Sequence, residues 1–329
     1  MSFDAYSVGT NSNNESKKPT VDFDALNNYV IETAACQEPE TLTGVISVIV
    51  DLGSQKQPDA EYDLQGEDVG KTAAELTEKY AQEIEDGKIT KFDKSYDSVS
   101  KNWVLRKFVP QKDRQSIAYA VDFPDIQLDK GQFFGDDSGE TRPLRLWSGG
   151  QYWNKFQKKM QIQNLTPLKI TKDDKVGWTM KSTSLPYKMA VASKVRKQGE
   201  AFLPQDVDLL LGKTMQFKVQ IFNEQGKDGK QYYKEKLSFV GGLGRGQKEI
   251  ELDKTYLIQF NKENDPEALK ELRKHIINTI ENATNFEGSA IQAQLLEARP
   301  HTFKKNDTVS TPASNTVVSN EDLDDDLPF

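Results

Sequence analysis

The chain has 329 residues with a formal net charge of -8, one cysteine and two histidines. Its length is enough for one large domain or a pair of ordinary ones with buried cores. A single cysteine excludes an internal disulfide framework, and so few sulfur and imidazole ligands predict no zinc site, so we expect neither metal nor cofactor. No apolar run reaches the length of a membrane span and the N-terminus shows no export signal, so we expect a cytoplasmic protein without membrane contact.

The charged residues are unevenly distributed along the chain. Residues 1–100 hold 8 Lys/Arg against 20 Asp/Glu, residues 101–250 hold 27 against 16, and residues 251–329 hold 8 against 15. A basic middle between acidic ends is typical of a chain that presents a groove to a polyanion. The alternative is a basic surface that only compensates an acidic neighbouring domain.

The first half of the chain predicts strands interrupted by one helix. Residues 1–20, rich in Asn, Ser and Lys, are expected to be disordered. Residues 43–53 are a β-branched run that ends at a glycine and predict the first strand. Residues 71–86 carry apolar side chains at a spacing of four, which predicts an inserted helix. Further strands are predicted at residues 102–109, 116–123, 143–147, 160–170 and 176–193.

The next segment predicts a short helix and a closing hairpin. The helix covers residues 205–211 and ends at Gly212. Residues 215–222 alternate in polarity, and a glycine-containing turn joins them to a second strand at 231–240. Strands, a helix and then a hairpin are the order of an OB-fold, a five-stranded barrel that commonly binds oligonucleotides. The predicted fold class is therefore mainly β with helical additions (α+β), an OB-fold barrel with insertions over residues 21–260.

Two further helices are predicted over residues 261–300. Asp265, Pro266 and Glu267 have the pattern of a helix N-terminus, and Ser289 with Gln292 has the pattern of a capping box. The first helix keeps its apolar positions at helical spacing: Leu269, Leu272, Ile276 and Ile280. Such a stripe either packs onto the barrel or forms a dimer contact, and we favour packing onto the barrel.

Aromatic side chains fall among the basic residues of the middle segment. Rings stack on the bases of single strands while cations follow the phosphates, so this pairing predicts a nucleic-acid groove. For any one ring the alternative is packing in the core, because alternate residues of a strand point inward. The predicted DNA-binding residues are Trp103, Arg106, Lys107, Phe108, Arg145, Trp147, Tyr152, Trp153, Lys155, Phe156, Lys158, Lys159, Trp178, Lys181, Tyr187, Lys218, Tyr232, Lys234 and Arg245.

Two partial matches to nucleotide-binding motifs fail. The segment that ends in Gly212-Lys213-Thr214 has Val207 where a P-loop needs glycine. The glycine-rich residues 241–246 do not open a helix, so dinucleotide geometry is missing, and a flexible loop that places Arg245 on a phosphate fits better. No nucleophile is paired with a base. We therefore expect no enzyme.

The C-terminus combines the acidic charge of Asp324 to Asp326 with an apolar end of Leu327, Pro328 and Phe329. A basic, apolar pocket on a partner can hold the final ring and its carboxylate together. This ending resembles the tail of single-stranded-DNA-binding proteins of bacteria and their phages, whose acidic tip closes with Pro-Phe. The body resembles the phage members only in pattern. The predicted partner-binding residues, at the end of a flexible tether and tail over residues 301–329, are Asp322, Asp324, Asp325, Asp326, Leu327, Pro328 and Phe329.

The resemblance implies a protein of replication, recombination and repair that binds single-stranded DNA and recruits partner proteins. A phage-encoded chain would act in the host bacterial cytoplasm, and its oligomeric state stays open. One alternative is a DNA-processing enzyme, a nuclease with an OB-like domain whose carboxylates lie in the acidic first hundred residues. Another is a protein-binding adaptor that never contacts DNA.

Overall fold

The computed structural model describes residues 21–298 except 137, 149–150, 155–158, 163–165 and 227, and within residues 151–167 it describes backbone only. The predicted disordered N-terminus and acidic tail therefore lie outside the described residues. In the described part, the strands are β1 (Glu40–Gln55), β2 (Ala60–Asp63), β3 (Lys91–Asp97), β4 (Asn102–Val109), β5 (Arg114–Leu128), β6 (Arg142–Trp147), β7 (Gln151–Asn154), β8 (Lys159–Ile162), β9 (Thr166–Pro167), β10 (Ile170–Asp173), β11 (Gly177–Met180), β12 (Thr214–Gln225), β13 (Gln231–Gly241) and β14 (Tyr256–Ile258). The α-helices are α1 (Phe23–Ala34), α2 (Ala73–Lys79), α3 (Ala81–Glu85), α4 (Leu185–Ala192), α5 (Pro266–Lys270), α6 (Lys274–Glu281) and α7 (Ala290–Ala298).

Five long strands form one antiparallel sheet that curls into a nearly closed barrel. Their order is β13-β12-β1-β5-β6. Because every pairing in this path is antiparallel, β13 and β6 run parallel where the two ends of the sheet meet. A mainly β protein with helical additions is thereby confirmed.

Arg273 links the two ends of this sheet. Its guanidinium pairs with Glu235 of β13 at 2.9 Å and donates to the backbone oxygen of Arg145 in β6 at 3.2 Å. Lys130 lies near the same group, and burial together with the charge of Arg273 lowers the pKa of its ammonium to about 8. We call this group the seam.

The barrel has an apolar core on each side of β1. Residues 44–50 of this strand are all buried, because both faces of the sheet are covered. Ile46 and Ile49 face the barrel interior, where α1 and α4 add further side chains. Val48 and Val50 face the outside, where α5, α6 and α7 cover them. The C-terminal helices thus pack onto the barrel through a core that contains Leu269, Leu272, Ile276, Ile280, Ile291 and Leu295.

Residues 56–113 form a separate small sheet between β1 and β5, which we call the module. Its strand order is β2-β4-β3, and α2 and α3 pack on it. Leu76, Tyr80 and Ile84 form the apolar stripe that the sequence predicts, against Phe92. The predicted single helix is nevertheless broken at Tyr80, whose backbone leaves the helical region and whose hydroxyl donates to Asp68 at 2.6 Å.

Three other predicted elements differ from the structure. The strand predicted at 176–193 ends with β11, and Ser184 and Pro186 then start α4, because a proline in the first turn favours a helix. The strand predicted at 160–170 is divided among β8, β9 and the start of β10. The helix predicted after Asp265 is divided into α5 and α6, because Arg273 is extended where its side chain joins the seam.

The remaining predicted elements are confirmed with small shifts. The first strand, the strands at 102–109, 116–123 and 143–147, and the closing hairpin are all present. The predicted helix before Gly212 is a turn of 3-10 helix, Pro204–Leu210. The Ser289 hydroxyl accepts from the Gln292 backbone as a cap, whereas the Gln292 side chain accepts from Gly288 rather than from Ser289.

Candidate nucleic-acid interface

The outward side of the β12–β13 hairpin is the best-defined surface of rings and cations in the described residues. Met215, Phe217, Val219 and Ile221 are buried in the barrel, so the alternate residues of β12 point outward. Strand register places Phe222 opposite Lys234 and Gln220 opposite Lys236. We call this surface the hairpin face. It consists of Gln216, Lys218, Gln220, Phe222, Glu224, Tyr232, Lys234 and Lys236, with Glu224 opposite Tyr232 near the turn.

Lysines of the hairpin face lie over its rings. The Lys236 ammonium is 4.6 Å from the centre of the Phe222 ring and donates to the Gln220 side chain at 3.1 Å. The Lys234 ammonium is 5.9 Å from the centre of the Tyr232 ring. Each ring thus has a cation beside it, which is the arrangement that holds a base by stacking and its phosphate by charge.

The hairpin face carries unpaired positive charge. Among the described residues, no carboxylate lies within 4.0 Å of the ammonium groups of Lys218, Lys234 or Lys236. The Tyr232 hydroxyl donates to Asp228 at 2.7 Å, at the turn of the hairpin. The three lysine ammonium groups are therefore available to bind phosphates.

The glycine-rich loop after β13 lies beside the hairpin face. Gln247 accepts from the Gln216 side chain at 3.0 Å and donates to the Thr43 hydroxyl at 3.1 Å, which ties the loop to β12 and β1. A side chain at Gly242 would collide with the carbonyl oxygen of Ala192, so close packing on α4 accounts for this glycine. Arg245 is exposed in the loop, as its predicted role requires.

A second exposed ring lies on the β10–β11 hairpin, which we call the Trp178 hairpin. Trp178 is 58% exposed and pairs directly across from Lys172. Lys181, just beyond β11, is also exposed. An exposed tryptophan beside free lysines again combines stacking with charge.

The module separates the predicted group at residues 103–108 between two faces. Trp103 and Lys107 lie on one face, where Trp103 is 59% exposed. Arg106 and Phe108 lie on the other. The Arg106 guanidinium binds Asp63, Glu61 and Asp97 at 2.9, 3.2 and 3.7 Å, and hydrogen bonds with Asp63 and Glu61 raise its pKa. Because carboxylates of the module already neutralise Arg106, the structure does not favour the predicted contact of this residue with DNA.

Phe108 sits under a cation of its own sheet. The Lys91 ammonium lies 5.2 Å from the centre of its ring, and the ring is half-buried on the face that carries the Arg106 carboxylates. The carboxylates of this face, and not the lysine over the ring, disfavour a phosphate backbone, so Phe108 is a poor stacking site.

Arg145 and Trp147 are held by the C-terminal helices. The Arg145 guanidinium pairs with Asp122 at 2.7 and 2.9 Å and with Glu271 at 2.6 Å. Burial opposes its charge, but these carboxylates outweigh burial and raise its pKa. Trp147 is 6% exposed, in the core beneath the helices. Both predictions of DNA contact are wrong, because the C-terminal helices cover the outer face of β6.

Tyr187 is also a core residue. It is buried on the inner side of α4, and its hydroxyl accepts a hydrogen bond from the Gly199 backbone at 2.8 Å. The predicted role of this ring in stacking is wrong, because the segment is a helix and not an open strand.

Several predicted residues cannot be placed. The backbones of Tyr152 and Trp153 lie in β7, which pairs with β8 starting at Lys159, but their side chains lie outside the described residues. The following residues lie outside the described part of the chain altogether: Lys155, Phe156, Lys158, Asp322, Asp324, Asp325, Asp326, Leu327, Pro328 and Phe329.

Other rings and cations of these surfaces, among them the half-buried Phe222, were absent from the predicted site. Phe222 and Lys236 share the hairpin face, and the alternation of β12 and β13 is a signal that could have found them. Tyr62 and Tyr96 join Trp103 only through the pairing of β2, β3 and β4, which no local pattern reveals.

Comparisons with protein-family models, curated proteins and solved structures found no match. In the part of the chain that the structure describes, no three His, Cys, Asp or Glu side chains are grouped to hold a metal ion. None of the described helices is long and apolar enough to cross a membrane.

Proposed function

We propose that this protein binds single-stranded DNA without strict sequence preference and without catalysis. The observation that carries the proposal is the hairpin face, where Lys236 and Lys234 lie over Phe222 and Tyr232 and neither lysine pairs with a carboxylate of the described residues. Rings that stack on any base and lysines that follow the backbone give affinity that depends on salt but tolerates sequence.

The topology supports an OB-fold assignment. The meander β1-β5-β6 is followed by α4, and β12 and β13 then return to the other side of β1 so that β13 approaches β6. This is the order of a five-stranded OB barrel with a helix between its third and fourth strands. OB-folds commonly bind oligonucleotides on the face of their second and third strands. Here the equivalent strands, β5 and β6, are covered by the C-terminal helices. We therefore assign binding of the DNA to the hairpin face instead.

The tail supplies the second part of the proposal. Its aspartates and its final Leu-Pro-Phe resemble the ending by which single-stranded-DNA-binding proteins recruit other proteins of replication and recombination. We propose that Asp322, Asp324 to Asp326 and Leu327 to Phe329 bind such partners while the barrel holds DNA, in replication, recombination and repair.

A titration with fluorescent oligonucleotides tests the proposal. We expect tight binding to single strands, much weaker binding to duplexes and a steep loss of affinity with salt. A nuclease would instead degrade the probe when a divalent metal is added, and an adaptor would show no salt-sensitive affinity for DNA. Equal affinity for single and double strands would contradict the stacking surface.

A further inference from the structure

The module presents a second surface of exposed rings. Tyr62, Tyr96 and Trp103 are 52%, 39% and 59% exposed and lie on the side of the β2-β4-β3 sheet on which α2 and α3 pack, with Tyr62 opposite Lys107 and Tyr96 opposite Trp103 at the other end of β4. Large aromatic side chains are normally buried, so exposed rings at both ends of this side indicate a binding surface.

Cations accompany these rings. Strand register places Lys94 and Lys107 on the same side as the rings, and the Lys107 ammonium lies 6.0 Å from the centre of the Tyr62 ring. The Tyr96 and Trp103 rings are 5.9 Å apart and meet edge to face. We call this surface, made of Tyr62, Lys94, Tyr96, Trp103 and Lys107, the module face.

The two sides of the module differ in how their cations are paired. The opposite side holds Arg106 within a group of carboxylates from β2 and β3. On the module face, the Lys107 ammonium instead lies beside a ring. Cations beside exposed rings favour a nucleic-acid strand as the occupant of the module face.

A cleft opens at the Tyr62 end of the module face. Its volume is about 160 Å³, and Tyr62, Phe92 and Lys107 contribute to its walls together with Gln65 and the carboxylates of Asp63 and Asp68. Pockets for drug-sized ligands start near 300 Å³, so this cleft suits a single flat group such as a nucleobase. Carboxylate and amide oxygens accept hydrogen bonds from the exocyclic amino group of a base, which cytosine and adenine carry and thymine lacks.

We propose that the module face is a second contact surface for the strand held by the hairpin face, and that the cleft beside Tyr62 takes one unstacked nucleobase with an amino group. This inference rests on the proposed function. It predicts that long oligonucleotides gain affinity from the module and that short ones do not.

Matched variants separate the module face from the rest of the module. Tyr96→Ala with Trp103→Ala removes exposed rings, and Lys94→Gln with Lys107→Gln removes charge from the module face. Lys88→Gln with Lys91→Gln is the control, because it removes the same charge elsewhere on the module: Lys88 and Lys91 pair with Asp86 and Asp93, and Lys91 lies on the opposite side of the sheet.

The experiment measures fluorescence anisotropy with oligo-dC and oligo-dT of about 6 to 30 nucleotides, a range around the 4–16 nucleotides that one OB-fold covers. The shortest probes are expected to bind all variants like the unmodified protein. The longest probes should bind the ring variant about tenfold more weakly. The charge variant should lose about 1.4 from the logarithmic salt slope on long probes, whereas the control loses nothing.

Each outcome has a distinct meaning. If the module-face variants match the control on long probes, the second surface is overturned. If long oligo-dC binds no more tightly than long oligo-dT, the base cleft is overturned. If the unmodified protein binds no single strand at any length, the proposed function itself fails.

Discussion

Individual rings of this protein have opposite roles that their sequence neighbours do not reveal. Trp147 and Trp178 both lie among basic residues, yet Trp147 is buried beneath the C-terminal helices and Trp178 is exposed. Burial decides whether a ring stabilises the fold or is free to stack on a base.

The two tryptophans should therefore respond oppositely to substitution. Trp147→Ala is expected to lower the free energy of unfolding by about 3–5 kcal/mol, because it leaves a cavity in the outer core. Trp178→Ala is expected to change it by less than about 0.5 kcal/mol and to weaken binding of single-stranded DNA roughly tenfold. Urea unfolding and anisotropy measure both quantities. Unchanged DNA affinity of Trp178→Ala would remove the Trp178 hairpin from the interface.

His275 should make the fold sensitive to acid. Burial, with the charge of Arg273, lowers the pKa of its imidazole to about 4, and its Nε2 atom is buried without a hydrogen-bond partner. Between pH 6.5 and 4 the unfolded chain takes up a proton at this residue and the folded chain does not, so the free energy of unfolding falls as the pH falls. His275→Leu should remove about 1–3 kcal/mol of this dependence.

Urea unfolding at several pH values checks this expectation. The difference between the two proteins should be constant above pH 7 and should grow in favour of His275→Leu as the pH falls towards 4. Parallel curves across that window would show that His275 is protonated equally in both states.

At the scale of elements, the hairpin of β12 and β13 serves the fold on one side, and we propose that its other side binds DNA. Its inner side fills the barrel with Met215, Phe217, Val219 and Ile221, and its outer side carries the lysines of the hairpin face. Because a strand alternates its side chains, outer residues can change without loss of the core.

Neutralising the hairpin face should change DNA binding in a measurable way. The triple variant Lys218→Gln, Lys234→Gln, Lys236→Gln should lower the logarithmic salt slope of single-strand binding by about 2, because about 0.7 is lost for each phosphate contact. The control is Lys254→Gln, Lys262→Gln, Lys270→Gln, three exposed lysines near the C-terminal helices. Equal slopes for the two triple variants would mean that the hairpin face does not neutralise phosphates.

At the scale of the whole molecule, segments far apart in the chain close the barrel and cover its face. Arg273 joins β13 to β6, and Glu271 holds Arg145, which is 126 positions earlier. The C-terminal helices thereby cover the outer face of β5 and β6. In an OB-fold this face commonly binds nucleic acid, which is why we propose the hairpin face as the DNA site instead.

Two truncations should distinguish the effect of the tail's charge from the effect of its apolar end. Removal of residues 327–329 is expected to abolish recruitment of a replication partner and to leave DNA binding nearly unchanged, because the final ring contributes short-range burial. Pull-down with a candidate replication protein and anisotropy with oligonucleotides measure the two effects. Retained recruitment would assign the partner contact to the aspartates alone.

Removal of residues 321–329 should have a further effect. If the acidic residues compete with phosphates for the basic surface of their own molecule, as we propose, their high effective concentration matters, and this truncation should tighten DNA binding, most clearly at low salt. Equal affinity of the truncated and full-length proteins at low salt would show that the tail does not reach the DNA site.

Local features of the chain were readable from the sequence because their causes are local. The β-branched residues of β1, the alternation of β12 and the Asp265-Pro266 helix start depend on backbone periods and caps within a few residues. The contrast between a basic middle and acidic ends, and the acidic apolar tail, are likewise properties of the sequence alone.

The tertiary structure alone decided which of the candidate side chains are available. Helices more than a hundred residues later in the chain cover Arg145 and Trp147. Carboxylates from the strands that pair with β4 neutralise Arg106. The same distant contacts extend the backbone at Arg273 and divide one predicted helix into two. Burial and ion pairing depend on which segments meet in space, and a pattern read along one segment carries no information about the segment that will cover it.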